Sequence, residues 1–118
     1  MGIQGAEGDG KLVAIYARSA ADDEAGTACR DQVRRARGLI KPPVRAAVYA
    51  DPGRSGLDAY RPGLLRLRAD ARRRSLCCVI VRDLPRLARS ATLLESILRE
   101  LREAGVDIRV IDEERRNE

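Results

Sequence analysis

Short apolar runs alternate with amphipathic stretches along almost the whole chain. This alternation limits the fold more than any other feature. Leu12-Val-Ala-Ile-Tyr16 is a first apolar run of strand length. Cys29, Val33, Ala36 and Ile40 follow at spacings of four, three and four, on one face of a helix. Asp22 and Asp23 offer N-cap oxygens ahead of that helix, and Pro42 and Pro43 stop it. Val44 to Ala50 reads as a second strand, closed by Asp51-Pro52-Gly53, and a loop rich in Gly and Ser comes next. Arg61-Pro62 opens a second helix with Pro at its first position and Leu64, Leu67 and Ala71 as its apolar stripe. Leu76 to Val81 is a third, continuous apolar run. Ser90 or Thr92 caps a further helix whose apolar face is Leu93, Leu94, Ile97, Leu98 and Leu101, with Gly105 at its end. Val106, Ile108 and Val110 alternate as a fourth strand. The order β-α-β-α-β-α-β predicts an α/β fold, a mainly parallel sheet of four strands with helices on both faces.

A chain of 118 residues holds one domain and one core. The expected division is a flexible Gly-rich leader over 1–10, the domain over 11–112 and a charged tail over 113–118. The leader has no apolar core of a signal peptide, and no run is long enough to span a membrane. Cys29, Cys77 and Cys78 are odd in number and contain no CxxC pair. They read as reduced, buried thiols, and the chain as cytoplasmic, with no disulfide, no metal site and no cofactor. Histidine is absent, which excludes Ser-His and Cys-His nucleophilic mechanisms. The only aromatics are Tyr16, Tyr49 and Tyr60, too few for a base-stacking platform.

The net charge is +5, and 21 of the 23 basic residues are arginine. Ligands of an open parallel sheet sit beyond the carboxyl ends of its strands. The first strand ends in Tyr16-Ala17-Arg18-Ser19, and the second in Asp51-Pro52-Gly53-Arg54-Ser55, with its loop running to Arg61. The third ends in Arg82-Asp83 and leads to Leu84-Pro85-Arg86-Leu87-Ala88-Arg89. Guanidinium forks suit phosphate oxygens, and a cluster of them beside a serine suits phosphoryl transfer. Spacing alone leaves two readings open, a phosphate-handling site and a solvated basic rim. Arg34, Arg35 and Arg37 read as a solvated helix face, and Arg72-Arg73-Arg74 as a favourable basic helix end.

These residues resemble the serine recombinases: the resolvases, invertases and large serine integrases. The resemblance rests on Tyr16-Ala17-Arg18, Gln32, Asp51-Pro52-Gly53-Arg54-Ser55-Gly56, Arg61-Pro62-Gly63-Leu64, Leu84-Pro85-Arg86-Leu87-Ala88-Arg89-Ser90 and Gly105-Val106, in that order from about Leu12 to Asp112. It implies a resolvase-like, flavodoxin-like three-layer fold. It also implies DNA strand cleavage and rejoining, in which a serine attacks a phosphodiester and arginines hold the phosphate. By position, Arg18, Arg61, Arg86 and Arg89 are then the phosphate-binding and catalytic arginines. Ser55 and Asp51 support the site, and Gln32 lies near it.

The chain departs from this pattern at two central positions. Ala20 stands where the family has its nucleophile, and Ser19 lies one residue early. A one-residue shift along a strand turns a side chain to the opposite face unless a bulge re-aims it. Pro85 replaces the Asp of the family's Leu-Asp-Arg-Leu. The chain also stops at Glu118, before the family's long helix and DNA-binding domain. The expectation is a degenerate, truncated recombinase domain, inactive in strand cleavage, that keeps an arginine-lined site for the DNA phosphate backbone. Binding would be weak and non-specific, and association as a homodimer or with a full-length relative is open. The alternatives are an active DNA-nicking recombinase using Ser19, and a flavodoxin-like module binding a nucleotide or a protein.

Overall fold

The strand that carries the first candidate arginine lies inside the sheet, with a neighbour on each side. In the computed structural model, which describes residues 11–20, 23 and 26–112, β1 (Leu12–Arg18) pairs in parallel with β2 (Ala46–Asp51) and with β3 (Leu76–Val81). β4 (Asp107–Val110) pairs in parallel with β3, so the order is β2-β1-β3-β4 and every pairing is parallel. All four strands therefore end at one rim, where the arginine-bearing segments begin.

Helices cover both faces, as the apolar patterning requires. Val13 and Ile15 of β1 face α1 (Thr27–Arg37) and pack with Ala36, Cys78, Ile80 and Ile111. Ala14 and Tyr16, the alternate residues, face α2 (Pro62–Arg72) and α4 (Ala91–Glu103). The stripe Leu64, Leu67 and Ala71 is fully buried there, as are Ile97 and Leu101. Each large aliphatic side chain buried in this way contributes about 1.5–3 kcal/mol. Among the described residues, no helix is long and apolar enough to cross a membrane.

Helix ends follow from identifiable caps. Ser90 Oγ accepts from Leu93 N at 3.3 Å and starts α4. Asp23 accepts from Thr27 N and Ala28 N, both at 3.1 Å, although Gly26 is the residue that flanks α1. Gly105 leaves α4 with φ +76°, a conformation that favours glycine.

Three boundaries differ from the sequence reading. α1 ends at Arg37, before Gly38, so Ile40 packs beneath the sheet from outside the helix. Lys41 to Val44 form a turn closed by Val44 N to Lys41 O at 3.1 Å, and β2 starts only at Ala46. A short helix unseen in the sequence, α3 (Leu84–Leu87), follows β3, with Asp83 Oδ1 accepting from Arg86 N at its start. The 1–10 leader, the 113–118 tail and the Asp22 cap lie outside the described residues.

Candidate functional site

The rim of the sheet gathers Arg18, Arg61, Arg86 and Arg89 on the α2 side. Arg18 ends β1 on the same face as Tyr16, and α3 and the loop after β2 close over it. Its guanidinium donates from Nε to Arg86 O at 3.1 Å, from Nη1 to Arg54 O at 2.8 Å and from Nη2 to Pro85 O at 2.9 Å. Burial lowers the Arg18 pKa, and the like charges of Arg61, Arg86 and Arg89 lower it further. Those charge effects place all four arginines in one electrostatic cluster.

Arg61, just before α2, is completely buried. Nε donates to Asp58 O at 2.8 Å, Nη1 to Tyr16 Oη at 2.8 Å and Arg86 O at 3.0 Å, and Nη2 to Leu87 O. Tyr16 in turn donates to Asp51 Oδ2 at 2.7 Å, so the buried guanidinium reaches its buried carboxylate through a phenol. Burial and the Asp51 carboxylate both push the Tyr16 hydroxyl well above the usual tyrosine range. Asp51 also accepts from Gly63 N at 2.7 Å and Leu64 N at 2.9 Å. It thereby serves the open N–H groups of α2 from the end of β2. The same approach explains Gly63, where a Cβ would stand 2.9 Å from both Ala50 O and the Asp51 carboxylate.

Arg86 and Arg89 are held more loosely. Arg86 Nη1 reaches Arg18 O at 3.5 Å, and Nε lies 3.6 Å from Asp83 without a hydrogen bond. Arg89 is exposed; its N donates to Gly56 O at 3.0 Å. Its side chain lies over Gly56, where a Cβ would stand 2.5 Å from Arg89 Cγ and 2.9 Å from Arg18 Nη2.

Ser19 takes the other face. It is 2% exposed, and its Oγ accepts from Gly53 N at 3.3 Å and from Cys29 Sγ of α1 at 3.5 Å. The Ser19 hydroxyl also holds the Asp23 carboxyl below its ordinary pKa. Ala20 is exposed. Gln32, buried on α1, pairs with the backbone of Arg18: its Oε1 accepts from Arg18 N at 3.2 Å and its Nε2 donates to Arg18 O at 2.9 Å. Ser55 is exposed and accepts from Leu57 N at 3.1 Å within its own loop. Pro85, exposed on α3, contributes its carbonyl to Arg18.

Three participants were not singled out from the sequence. They are the Tyr16 hydroxyl, the Asp83 cap and Gly56 as a point of close approach. Tyr16 carried a signal, since it lies two residues before Arg18 and so on the same face of the strand.

The parallel sheet in the order 2-1-3-4, with helices on both faces and an arginine cluster at its rim, defines a doubly wound α/β domain. Residues 13–118 match the family described as "Resolvase, N terminal domain", and the chain belongs to that family. Its fold is similar to that of a serine recombinase from Sulfolobus solfataricus, with a TM-score of 0.72 and 26% identity over 86% of this chain and 68% of that one. It is also similar to the N-terminal catalytic domain of TP901-1 integrase, with a TM-score of 0.70 and 25% identity over 87% and 78% of the two chains. The C-terminal catalytic domain of ISC1926 TnpA, an IS607-like serine recombinase, gives a TM-score of 0.69 and 28% identity over 85% and 70%. No curated protein matches the sequence.

Proposed function

We propose that this chain is a serine-recombinase catalytic domain that binds the DNA phosphate backbone through its arginine cluster and does not cleave strands. One observation carries the reading: the division of groups at the end of β1. Arg18 turns to Arg61 and Arg86, whereas Ser19 Oγ turns to Gly53 N and Cys29 on the opposite side. A nucleophile must reach the phosphorus that the arginines hold. Ser19 is buried with its Oγ held by Gly53 N and Cys29 Sγ, and position 20 carries only a methyl group. By the resemblance, Pro85 stands where the family carries an Asp, and the carboxylate that remains beside Arg86, Asp83, caps α3 through Arg86 N.

The net charge of +5 and the exposure of Arg89 support salt-sensitive backbone binding. Phosphate contacts position a protein without reading sequence, so binding is expected to be weak and indifferent to base composition. The test is a duplex with a pre-nicked suicide site, incubated with the protein and resolved on a denaturing gel. No covalent adduct is expected. An adduct that forms with the wild type and vanishes in Ser19→Ala would overturn the inactive reading. Fluorescence anisotropy of a labelled duplex checks the binding half: affinity should fall steeply with salt, and no binding at low salt would refute it.

A further inference from the structure

We propose that Arg18 and Arg61 are positioning residues in this chain, stapling α3 to the sheet, and that Arg86 and Arg89 alone meet a DNA phosphate. The second half of this inference rests on the backbone-binding reading above.

A helix leaves its last carbonyls without internal partners, and a four-residue helix leaves nearly all of them. In α3, Leu84 O is taken by Ala88 N. The other three carbonyls, those of Pro85, Arg86 and Leu87, accept from the two guanidinium groups: Arg18 serves Pro85 and Arg86, and Arg61 serves Arg86 and Leu87. The remaining nitrogens tie the loop after β2, with Arg18 Nη1 on Arg54 O and Arg61 Nε on Asp58 O. Every nitrogen of both groups is thus engaged with the protein itself. Turning either guanidinium toward a phosphate would break three or four charge-assisted bonds and strip partly buried carbonyls, and the buried one of Leu87, of their donors. Water could not replace them around Arg61, which is completely buried.

Arg86 and Arg89 differ in just this respect. Arg86 is partly exposed and makes one long bond, from Nη1 at 3.5 Å; its buried Nε has no hydrogen-bond partner and only a 3.6 Å ion pair with Asp83, so its Nη atoms are the ones left for a phosphate. Arg89 projects into solvent over Gly56. Arg86 lies within the stapled segment and Arg89 two residues beyond it, so α3 presents them and Arg18 and Arg61 fix α3.

Salt dependence separates the two roles, because the slope of log affinity against log salt counts phosphate contacts at about 0.9 each on duplex DNA. Anisotropy with a 20-bp duplex is measured between 50 and 200 mM NaCl. Losing one phosphate contact reduces the affinity drop over that fourfold range by about 3.5-fold. Arg86→Gln and Arg89→Gln should each show this reduction. Arg18→Gln and Arg61→Gln should lower the melting temperature and, in the folded protein, leave the slope unchanged. A slope that falls in folded Arg18→Gln or Arg61→Gln as it does in Arg86→Gln would overturn the proposal.

The Arg18 and Arg61 variants must fold to be read, so the wild type supplies a second measurement. In 15N–1H spectra of the arginine side chains, Arg18 and Arg61 should give sharp, slowly exchanging guanidinium signals, and Arg86 and Arg89 should not. Added duplex should shift the signals of Arg86 and Arg89 only. Fast exchange at Arg18 and Arg61 would refute the staple. If the wild type binds no DNA at low salt, the phosphate half falls together with the function proposed above. The exchange rates still decide the staple.

Discussion

Asp51→Ala tests whether the buried carboxylate at the end of β2 is part of the scaffold. The native carboxylate accepts from Tyr16 Oη, Gly63 N and Leu64 N, at 2.7, 2.7 and 2.9 Å. All three donors are buried, and alanine leaves each of them unpaired. An orphaned buried donor costs about 1–3 kcal/mol, and loss of a helix cap costs about 0.5–2 kcal/mol. Asp51 is also the negative end of the path Arg61–Tyr16–Asp51, so its removal leaves the Arg61 charge buried without it. Relaxation and entering water recover part of the sum, and the expected loss is about 3–5 kcal/mol. That is a large share of the roughly 5–15 kcal/mol that holds a domain together. At about 4 °C per kcal/mol, the melting temperature should fall by about 12–20 °C. Urea unfolding followed by circular dichroism at low temperature measures the loss directly. Asp51→Asn keeps the shape and one acceptor and should cost about half as much. Tyr16→Phe in the Asp51→Ala background should add little, because the two residues share one bond; a coupling of about 1–2 kcal/mol is expected. If Asp51→Ala unfolded within 1 kcal/mol of wild type while DNA affinity collapsed, Asp51 would belong to the phosphate site and the scaffold argument would be wrong.

Gln32→Leu removes both bonds to the backbone of Arg18, at 3.2 and 2.9 Å. It should destabilise the chain by about 2–3 kcal/mol in urea unfolding. Glu100 receives Arg68 Nε at 2.8 Å and Arg72 Nη1 at 3.1 Å; burial pushes its pKa up, but the two arginines outweigh that and hold it below the ordinary value. Its stabilisation is therefore present above the unfolded-state pKa and is lost as the pH falls through the lower native one. Glu100→Gln should cost about 1 kcal/mol at neutral pH, with the difference from wild type shrinking in acid and in high salt. Burial raises the Cys78 thiol from 9.0 to about 12. The folded state thus keeps a proton that the unfolded state releases, so this stabilisation is complete below pH 9 and declines as the pH rises toward 12. Thermal melts of Cys78→Ala across that range should show a shallower alkaline decline than the wild type.

The strands were legible because each is a short apolar run that a sheet covered on both faces requires, and β3 matches its run from Leu76 to Val81. The start of α2 was legible from Pro62 and that of α4 from Ser90, since both residues act through local chemistry. α3 was not legible. Four residues carry no helical period, and Pro85 near its start reads equally well as a loop. The alternation rule did anticipate that Ser19 faces away from Arg18 in the absence of a bulge. The partners of the arginines lay beyond any such rule. A guanidinium aimed at a backbone carbonyl and one aimed at solvent are the same letter, and the Asp51 cap acts across 12 residues onto Gly63.

The positions at which this chain keeps and departs from the recombinase pattern follow a physical asymmetry. Ala20 and Pro85, which the resemblance sets where the family has its nucleophile and a carboxylate, are both exposed, and neither side chain is needed to satisfy a buried group. A substitution at such a surface costs little stability. Arg18 and Arg61 are 5% and 0% exposed, and the carbonyls of five residues depend on their donors. Replacing either one would strand those carbonyls whether or not DNA is ever cleaved. On the staple proposal, retained arginines at these two positions are what folding alone demands. Arg86 and Arg89 carry far less of that structural load, so their presence bears most directly on whether the domain still meets a DNA backbone.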